Sequence, residues 1–493
     1  MKIKQVLTVF IFAIIALIVS CDDLLIEDPR DQIFATNFFE NNNDAISAVN
    51  AIYAALNSTS SAPTFGGVYH STYWVLQGLA SDEMNNIQAG VPHNEQAENF
   101  NWDATNSLFY DVWSTTYHAI SIANFALDGI PTAPIDEGLK TRLIGEASFL
   151  RGLLYFELVR MFGDVPIVLE GDAGLTPARK PAEEVYAQII KDLNTAAMSL
   201  PESYAAGNGL GRATRGAAWG ILSKVHLIRG EWQLSIDNVL MVINSNKYGL
   251  WEDFAQAFRI ANENGKETVF GIGFGDAGGA ISFWEVGQFN VRLLPIELGL
   301  VIPGINAQGW QVATENLLNS FDQDDRRRAV TFITEVGGNR LDHPHIRKYW
   351  DDIAEPRGGN SIADFPYMRY SEILLIYAEA LNELNLGPNQ EAYNAINAIR
   401  RRARFDGTQE REVLPDLFNL TYQQFKDAVL LERRREFVAE GKRWFDLVRM
   451  DKLTELVPVA KPGVQPTEIH KKFPIPLSEI ELNPNLLPQN PGY

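Results

Sequence analysis

The chain is 493 residues long and carries 42 Lys and Arg against 62 Asp and Glu, a formal net charge of −20. That balance argues against nucleic acid as a partner, because neutralising phosphates takes a positive surface, and against docking onto anionic lipid. With 46% hydrophobic and 11% aromatic residues the chain can bury a large core, and its single cysteine rules out an internal disulfide.

Residues 1–20 read as a targeting signal: Lys2 and Lys4, an apolar run from Val6 to Val19, then small Ser20. The run is shorter than the ~20 residues a membrane-spanning helix needs. Ile18-Val19-Ser20-Cys21 resembles a bacterial lipobox, in which the peptide is cut before the cysteine and the cysteine is acylated. A lone cysteine at a cleavage point suits lipid attachment; the alternative is an ordinary signal peptide with an incidental cysteine. Several acyl chains on Cys21 would form a stable anchor, since each buried CH₂ contributes ~0.8 kcal/mol. No other stretch is long and apolar enough to span a bilayer. The expected organisation is a signal over 1–20, a lipidated tether over 21–42 and a folded body over 43–493.

The first helix is expected over 43–56, where "DAISAVNAIYAAL" places Ile46, Val49, Ile52, Tyr53 and Leu56 on one face. Residues 57–106 are rich in Ser, Asn and Gly without sustained periodicity and read as long loops. Helical patterns resume over 107–128, 137–161, 182–199, 215–230 and 231–245, the last two joined by the turn "RGEW" as an antiparallel pair. "RGAAWGILSKVHLIRGEWQLSIDNVLMVINSN" resembles a tetratricopeptide unit, with small residues where two helices approach closely. "YSEILLIYAEALNELN" with "NQEAYNAINAIRRRAR" forms a second such pair, and "TYQQFKDAVLLERRREFVAEG" with "KRWFDLVRM" a third. A loop-rich insertion over 246–366 separates the scaffold segments 107–245 and 367–450. Within it "ETVFGIGF" reads as a buried strand and "HIRKYWDD" as another. Five prolines between Pro474 and Pro491 keep 461–493 irregular, as a clasp over the surface. The fold class expected is mainly α: one body of tetratricopeptide-like helical pairs with a partly β insertion.

The motifs that suggest chemistry are weak. Gly273 to Gly278 matches G-x-G-x-x-G after a strand, but no strand–helix–strand unit follows, so the glycines read as loop. His343 and His345 lack metal-ligand spacing. Asp82 and Glu83 are adjacent in sequence, whereas glycoside hydrolysis needs carboxyls facing each other at about 5–9.5 Å. In "RREFVAEGKRWFDLVRM", Arg443, Trp444 and Asp446 would make a binding trio. Helical spacing favours a structural role instead: Phe437, Trp444, Phe445 and Val448 in the core, and Arg433, Arg434, Glu436 and Asp446 in ion pairs.

Taken in order, the lipobox with "CDDLLIEDP", "LASDEMN", "EASFLRGLLYFELVRMFGDVPIV", "YMRYSEILLIYAEALNE", "LLERRREFVAEGKRWFDLVRM" and the closing "FPIPLSEIELNPNLLPQNPGY" resemble the SusD/RagB family of bacterial surface lipoproteins. The resemblance spans nearly the whole chain after the signal. It implies a protein lipid-anchored in the outer membrane and facing the cell exterior. Such a protein binds an oligosaccharide without cleaving it and partners a SusC-like TonB-dependent transporter. No cofactor is implied; calcium, seen in some relatives, is not indicated by these residues. One alternative is a protein- or peptide-binding scaffold partnered with such a transporter. A surface hydrolase is the other, for which the motifs are missing.

A sugar site needs flat aromatics for the apolar ring faces and amides or charged groups for the hydroxyl rim. Loop context selects Trp74, Trp284 and Trp310, with Tyr69, Phe65 and Phe289 in second rank, and Asp82, Asn85 and Asn86 as polar partners. Gln88, His93, Asn290 and Gln311 stand near them in sequence.

Overall fold

The structure, a computed structural model, describes residues 38–57, 67–170, 176–205, 207, 209–275, 287–355 and 361–493. Cys21, Phe65, Trp284 and the signal-like segment lie outside these residues. Helix α1 spans Asn42–Asn57 and buries Val49, Ile52 and Leu56, with Ile46 and Tyr53 half-buried against the core, which is the face its periodicity predicts. Where the sequence reads as loop, the chain instead forms α2 (Thr72–Leu79), a short strand β1 (Met84–Asn86) and α3 (Pro92–Asn99). The physical reason lies in α2. From Tyr73 to Leu79 every side chain is buried, and a helix enclosed on all sides carries no polar face to produce a period.

The scaffold helices follow their sequence periods closely: α4 (Ser107–Gly129), α5 (Glu137–Phe162), α6 (Ala182–Ser199), α7 (Arg215–Ile228) and α8 (Trp232–Asn244). Asn106, Asp136 and Thr214 cap the N-termini of α4, α5 and α7, each accepting a backbone N–H of the first turn. The reversal between α7 and α8 passes through Gly230, whose φ of +73° suits glycine.

Beyond α8, β2 (Thr268–Ile272) is buried as expected. Two short helices, α9 (Phe289–Leu293) and α10 (Leu298–Val301), precede β3 (Gln311–Ala313). After α11 (Glu315–Asn319) and α12 (Arg326–Thr331), a hairpin of β4 (Phe332–Val336) and β5 (Asn339–Ile346) turns at Gly337-Gly338. The strand expected in "HIRKYWDD" therefore lies upstream and ends at Ile346, where the chain turns, with Trp350 N donating to Arg347 O at 2.9 Å. Strand β6 (Phe365–Arg369) pairs antiparallel with β2, and of the glycine motif after β2 only Gly273 to Gly275 lie within the described residues. The described strands form three two-stranded sheets: β1–β3, β2–β6 and β4–β5.

The second helical pair is α13 (Tyr370–Asn385) and α14 (Gln390–Arg404); the third is α15 (Tyr422–Glu436) and the shorter α16 (Arg443–Arg449). Beyond α15 the chain turns through Ala439 and Gly441, both with positive φ, and a Cβ on Gly441 would meet the Tyr73 ring at 2.8 Å. The conspicuous arginine-rich segment is scaffold. Phe437, Trp444 and Phe445 are buried, Arg433 Nε donates to Asp446 Oδ2 at 2.7 Å, and Glu436 accepts from Arg369 at 2.8 Å and from Arg402. Helix α17 (Leu453–Ala460) precedes the C-terminal segment 461–493, which the sequence reads as irregular but in which Leu477–Leu482, a stretch between prolines, forms the short helix α18. That segment returns to α5: Phe473 N donates to Met161 O at 2.9 Å, Asn490 Nδ2 to Phe162 O at 2.8 Å, and the Phe473 ring stacks on Trp444 at 4.4 Å. Among the described residues no helix is long and apolar enough to cross a membrane.

Candidate functional site

The most promising surface is assembled by the smallest sheet. Met84, Asn85 and Asn86 pair antiparallel with Ala313, Val312 and Gln311, and the ladder continues outward with Ile87 N donating to Trp310 O at 2.9 Å. Strands this short persist because their inner ends are tied down. Thr314 N donates to Glu83 O and Thr314 Oγ1 to Asp82 O, both at 2.9 Å. Met84 is buried against Gly78, where a Cβ would come within 2.5 Å of the methionine sulfur. The approach to Trp310 is fixed too: Gln308 N donates to Val291 O at 2.9 Å, and Gly309 has φ +58° with the His345 ring in the space a side chain would need.

At the outer end of this ladder an amide cluster meets an aromatic ring. Asn86 Oδ1 accepts from Gln311 Nε2 at 3.1 Å and from Asn94 Nδ2 of α3 at 3.3 Å, while Asn86 Nδ2 donates to Gln88 O at 2.9 Å. Arg292 on α9 donates Nε to Gln288 Oε1 at 2.6 Å, reaches Gln311 Oε1 at 3.5 Å, and holds its guanidinium carbon 5.3 Å from the Trp310 ring centroid. Burial pushes the Arg292 pKa down to about 10. His93 is lowered first by burial and then by the Arg292 charge, which favours its neutral form. Trp310, Asn85, Asn86, His93 and Arg292 are half-buried, so ring and amide edges reach the surface.

The candidates selected from sequence fall into separate places. Asn86 and Trp310 come together here, with Gln88, His93 and Gln311, while Asn85 is placed only by its pairing with Val312 in the same ladder. Trp284 and Phe65 lie outside the described residues. Trp74, Tyr69 and Phe289 are corrections: none offers an open ring face. Trp74 is 0% exposed with its ring 5.2 Å from Phe289, and Phe289 stacks on Tyr349 at 4.1 Å. Tyr69 is enclosed by Tyr73, Phe365 and Tyr367. A ring already packed on other rings cannot take a sugar without opening the core. Asp82 is also a correction. It is buried in a bidentate pair with Arg443, at 2.7 and 2.9 Å, with Arg434 at 3.2 Å. Asn290 is buried and donates to Glu355 at 3.3 Å. Sequence reading selects neither Arg292 nor Asn94. The one available signal for Arg292 is its i, i+4 spacing from Gln288, which puts both on one turn.

The Asp82-Glu83 pair titrates in opposite senses. Burial would raise the Asp82 carboxyl, but Arg443 and Arg434 outweigh it and hold the pKa at about 2. Glu83 is raised to about 7 by burial and then by the Asp82 charge. The folded state therefore binds more protons than the unfolded one between pH 4.5 and about 7, and the Glu83 contribution is full below that window and lost as pH rises through it. Glu83→Gln should flatten the fall in stability across pH 5–7 and stabilise the protein at pH 7.5 by about 1–2 kcal/mol. Thermal melts at several pH values check this, and an unchanged slope would refute it.

Chemically, the patch offers an aromatic plane, amide donors and acceptors, and one cation. Among the described residues, the side chains that form it are amides, an indole, an imidazole and a guanidinium. Among the described residues no group of three or more His, Cys, Asp or Glu could hold a metal ion. His345 is buried with Nδ1 3.2 Å from Leu293 O, and serves packing.

Comparison with known proteins gives the following. The model of the SusD family matches residues 315–493, and a model described as starch-binding associating with outer membrane matches residues 36–227. SusD-like protein P2 of Formosa agariphila is 30% identical over 523 residues, covering 99% of this chain and 100% of that one. The starch-binding protein SusD of Bacteroides thetaiotaomicron is 24% identical over 470 residues, 81% of each chain. Among solved structures, a SusD homolog from Bacteroides thetaiotaomicron superposes with a TM-score of 0.80 at 24% identity, covering 93% of this chain and 98% of that one. A laminarin-binding SusD-like protein does so with a TM-score of 0.77 at 23% identity, covering 92% and 100%. At these identities the structural likeness speaks to the fold, a mainly α scaffold of tetratricopeptide-like pairs.

Proposed function

The chain belongs to the SusD family, and on that premise we propose that it is a non-catalytic glycan-binding lipoprotein of the outer-membrane surface, which captures an oligosaccharide and delivers it to a SusC-like TonB-dependent transporter. One observation carries the ligand half of this reading. A half-exposed tryptophan, Trp310, stands beside the Asn86–Gln311–Asn94 amide cluster on a braced strand pair. Starch- and laminarin-binding relatives support a carbohydrate as the ligand class, and the family description over 36–227 supports the outer membrane as its place. Neither matching family model describes an enzyme.

Calorimetry of the protein against a panel of neutral, acidic and host-type oligosaccharides tests the ligand half, with saturable binding to at least one as the expected result. Silence across the panel, together with peptide binding that survives loss of Trp310, would replace glycan capture with a protein-binding role of the helical pairs. Co-purification of a TonB-dependent transporter with the tagged chain tests delivery. For the anchor, Cys21→Ala should abolish metabolic labelling by an alkynyl fatty acid and move the protein from the membrane to the soluble fraction. Retained labelling would exclude Cys21 as the lipid site.

A further inference from the structure

The buried guanidiniums of the scaffold, Arg327, Arg369, Arg433 and Arg443 among them, each meet at least one carboxylate. This is the ordinary way a desolvated cation is balanced. Among the described residues Arg292, like the half-buried Arg215 and Arg435, has no such partner, and it is the one set at the candidate site. It is partly buried at the candidate glycan patch, and its hydrogen-bond acceptors there are the neutral Gln288 and, at long range, Gln311. Among the described residues no carboxylate pairs with it, and nothing accepts from its Nη2 group. Nearby acidic groups are engaged elsewhere. Glu98, beside the Asn86 backbone, is opposed by Lys461, and Glu355 accepts from Ile362 N at 2.8 Å and Asn290 Nδ2 at 3.3 Å. Neutral His93 supplies no negative charge. Gln288 orients the guanidinium and the Trp310 ring supports its face, so the group is held in place without being neutralised.

We propose that this patch takes an acidic glycan, a uronate- or sulfate-bearing oligosaccharide, whose anionic group sits on the Arg292 guanidinium while a sugar ring of the same chain rests by Trp310. The proposal rests on the glycan-capture reading and narrows it. An oxyanion with two or three oxygens matches the open Nη edge of a guanidinium and restores the hydrogen bonding that partial burial removes. The negative charge of the whole chain does not oppose this, because a charge more than about 8 Å away is largely screened at physiological ionic strength.

The test uses the full-length lipoprotein in detergent and two matched pairs of probes. One pair is a galacturonic acid trimer and its carboxyl-reduced form; the other is a sulfated galactan oligomer and its desulfated form. The expected result is that in at least one pair the charged probe binds at least about tenfold tighter than its neutral counterpart, with an advantage that shrinks as salt rises. Arg292→Gln should erase that preference while leaving weak neutral binding, and Arg292→Lys should keep part of it. Thermal melts of both variants confirm that the fold stands. The pair that shows the preference identifies carboxylate or sulfate as the group held. Equal binding of charged and neutral probes in both pairs, with Trp310 still required, overturns the acidic-ligand inference and leaves glycan capture intact. Failure of every probe and of neutral oligosaccharides alike overturns the reading beneath it.

Discussion

Glu436→Gln should be among the most damaging single substitutions in this protein. The carboxylate is fully buried; Oε1 accepts from Arg369 Nη1 at 2.8 Å and from Arg402, and Oε2 from Arg327 Nη1 at 3.3 Å. Those cations have other partners: Arg369 reaches Glu267 at 2.6 Å and Glu440 at 2.7 Å, and Arg327 reaches Asp325 at 2.9 Å and Glu432 at 2.6 Å. The network thus ties α12, α14, α15 and the end of β6 to the residue that precedes β2. A glutamine of the same shape keeps the packing and removes the charge, leaving guanidiniums crowded in a medium that cannot hydrate them. Removing one partner of a buried ion pair costs about 3–5 kcal/mol, far more than the net worth of the pair itself. Urea denaturation followed by tryptophan fluorescence should show a loss of that order, whereas Glu412→Gln, on the exposed surface, should change little. A Glu436→Gln midpoint indistinguishable from wild type would mean that the network is incidental to stability.

Trp310→Ala carries the largest expected effect on binding. Its ring is half-buried, braced by Arg292 and by the β1–β3 ladder, so truncation removes the aromatic plane without opening the core. Tryptophans that anchor an interface typically cost at least about 2 kcal/mol on truncation, roughly thirtyfold or more in Kd. Binding should fall by that factor while the melting temperature stays within a few degrees. Trp74→Ala is the informative counterpart. That ring is enclosed against Phe289, and its removal should cost about 3–5 kcal/mol of stability through the cavity it leaves. Any loss of binding in Trp74→Ala should track the unfolded fraction. Full-strength binding by a folded Trp310→Ala protein would remove this patch as the glycan site.

Much of the scaffold is written locally. A half-buried helix must repeat apolar residues every three or four positions, and α1, α4, α6 and α8 show that repeat within one or two residues of their ends. The ion-pair role of Arg433, Glu436 and Asp446 is likewise legible from helical spacing beside buried aromatics. Periodicity is silent for α2, because a helix buried all round has no polar face, so local sequence does not separate Trp74 from a surface aromatic.

Exposure of a given ring was decided only by what folds against it. Neither Trp74 nor Trp310 stands in a clear helical period, yet one is capped by Phe289 from a distant helix and the other is half-exposed. Asn86 and Gln311 are 225 residues apart, and a pairing of two three-residue strands makes them neighbours. Arg292 gains its meaning in the same way, since the lack of a counter-charge is a fact about the surroundings of a residue and not about its type. The sequence by itself determined the helical frame, through local spacing, and it carries the motifs in which the family resemblance lies. The tertiary structure decided which side chains form the site, because burial and charge balance are set by contacts between segments remote along the chain.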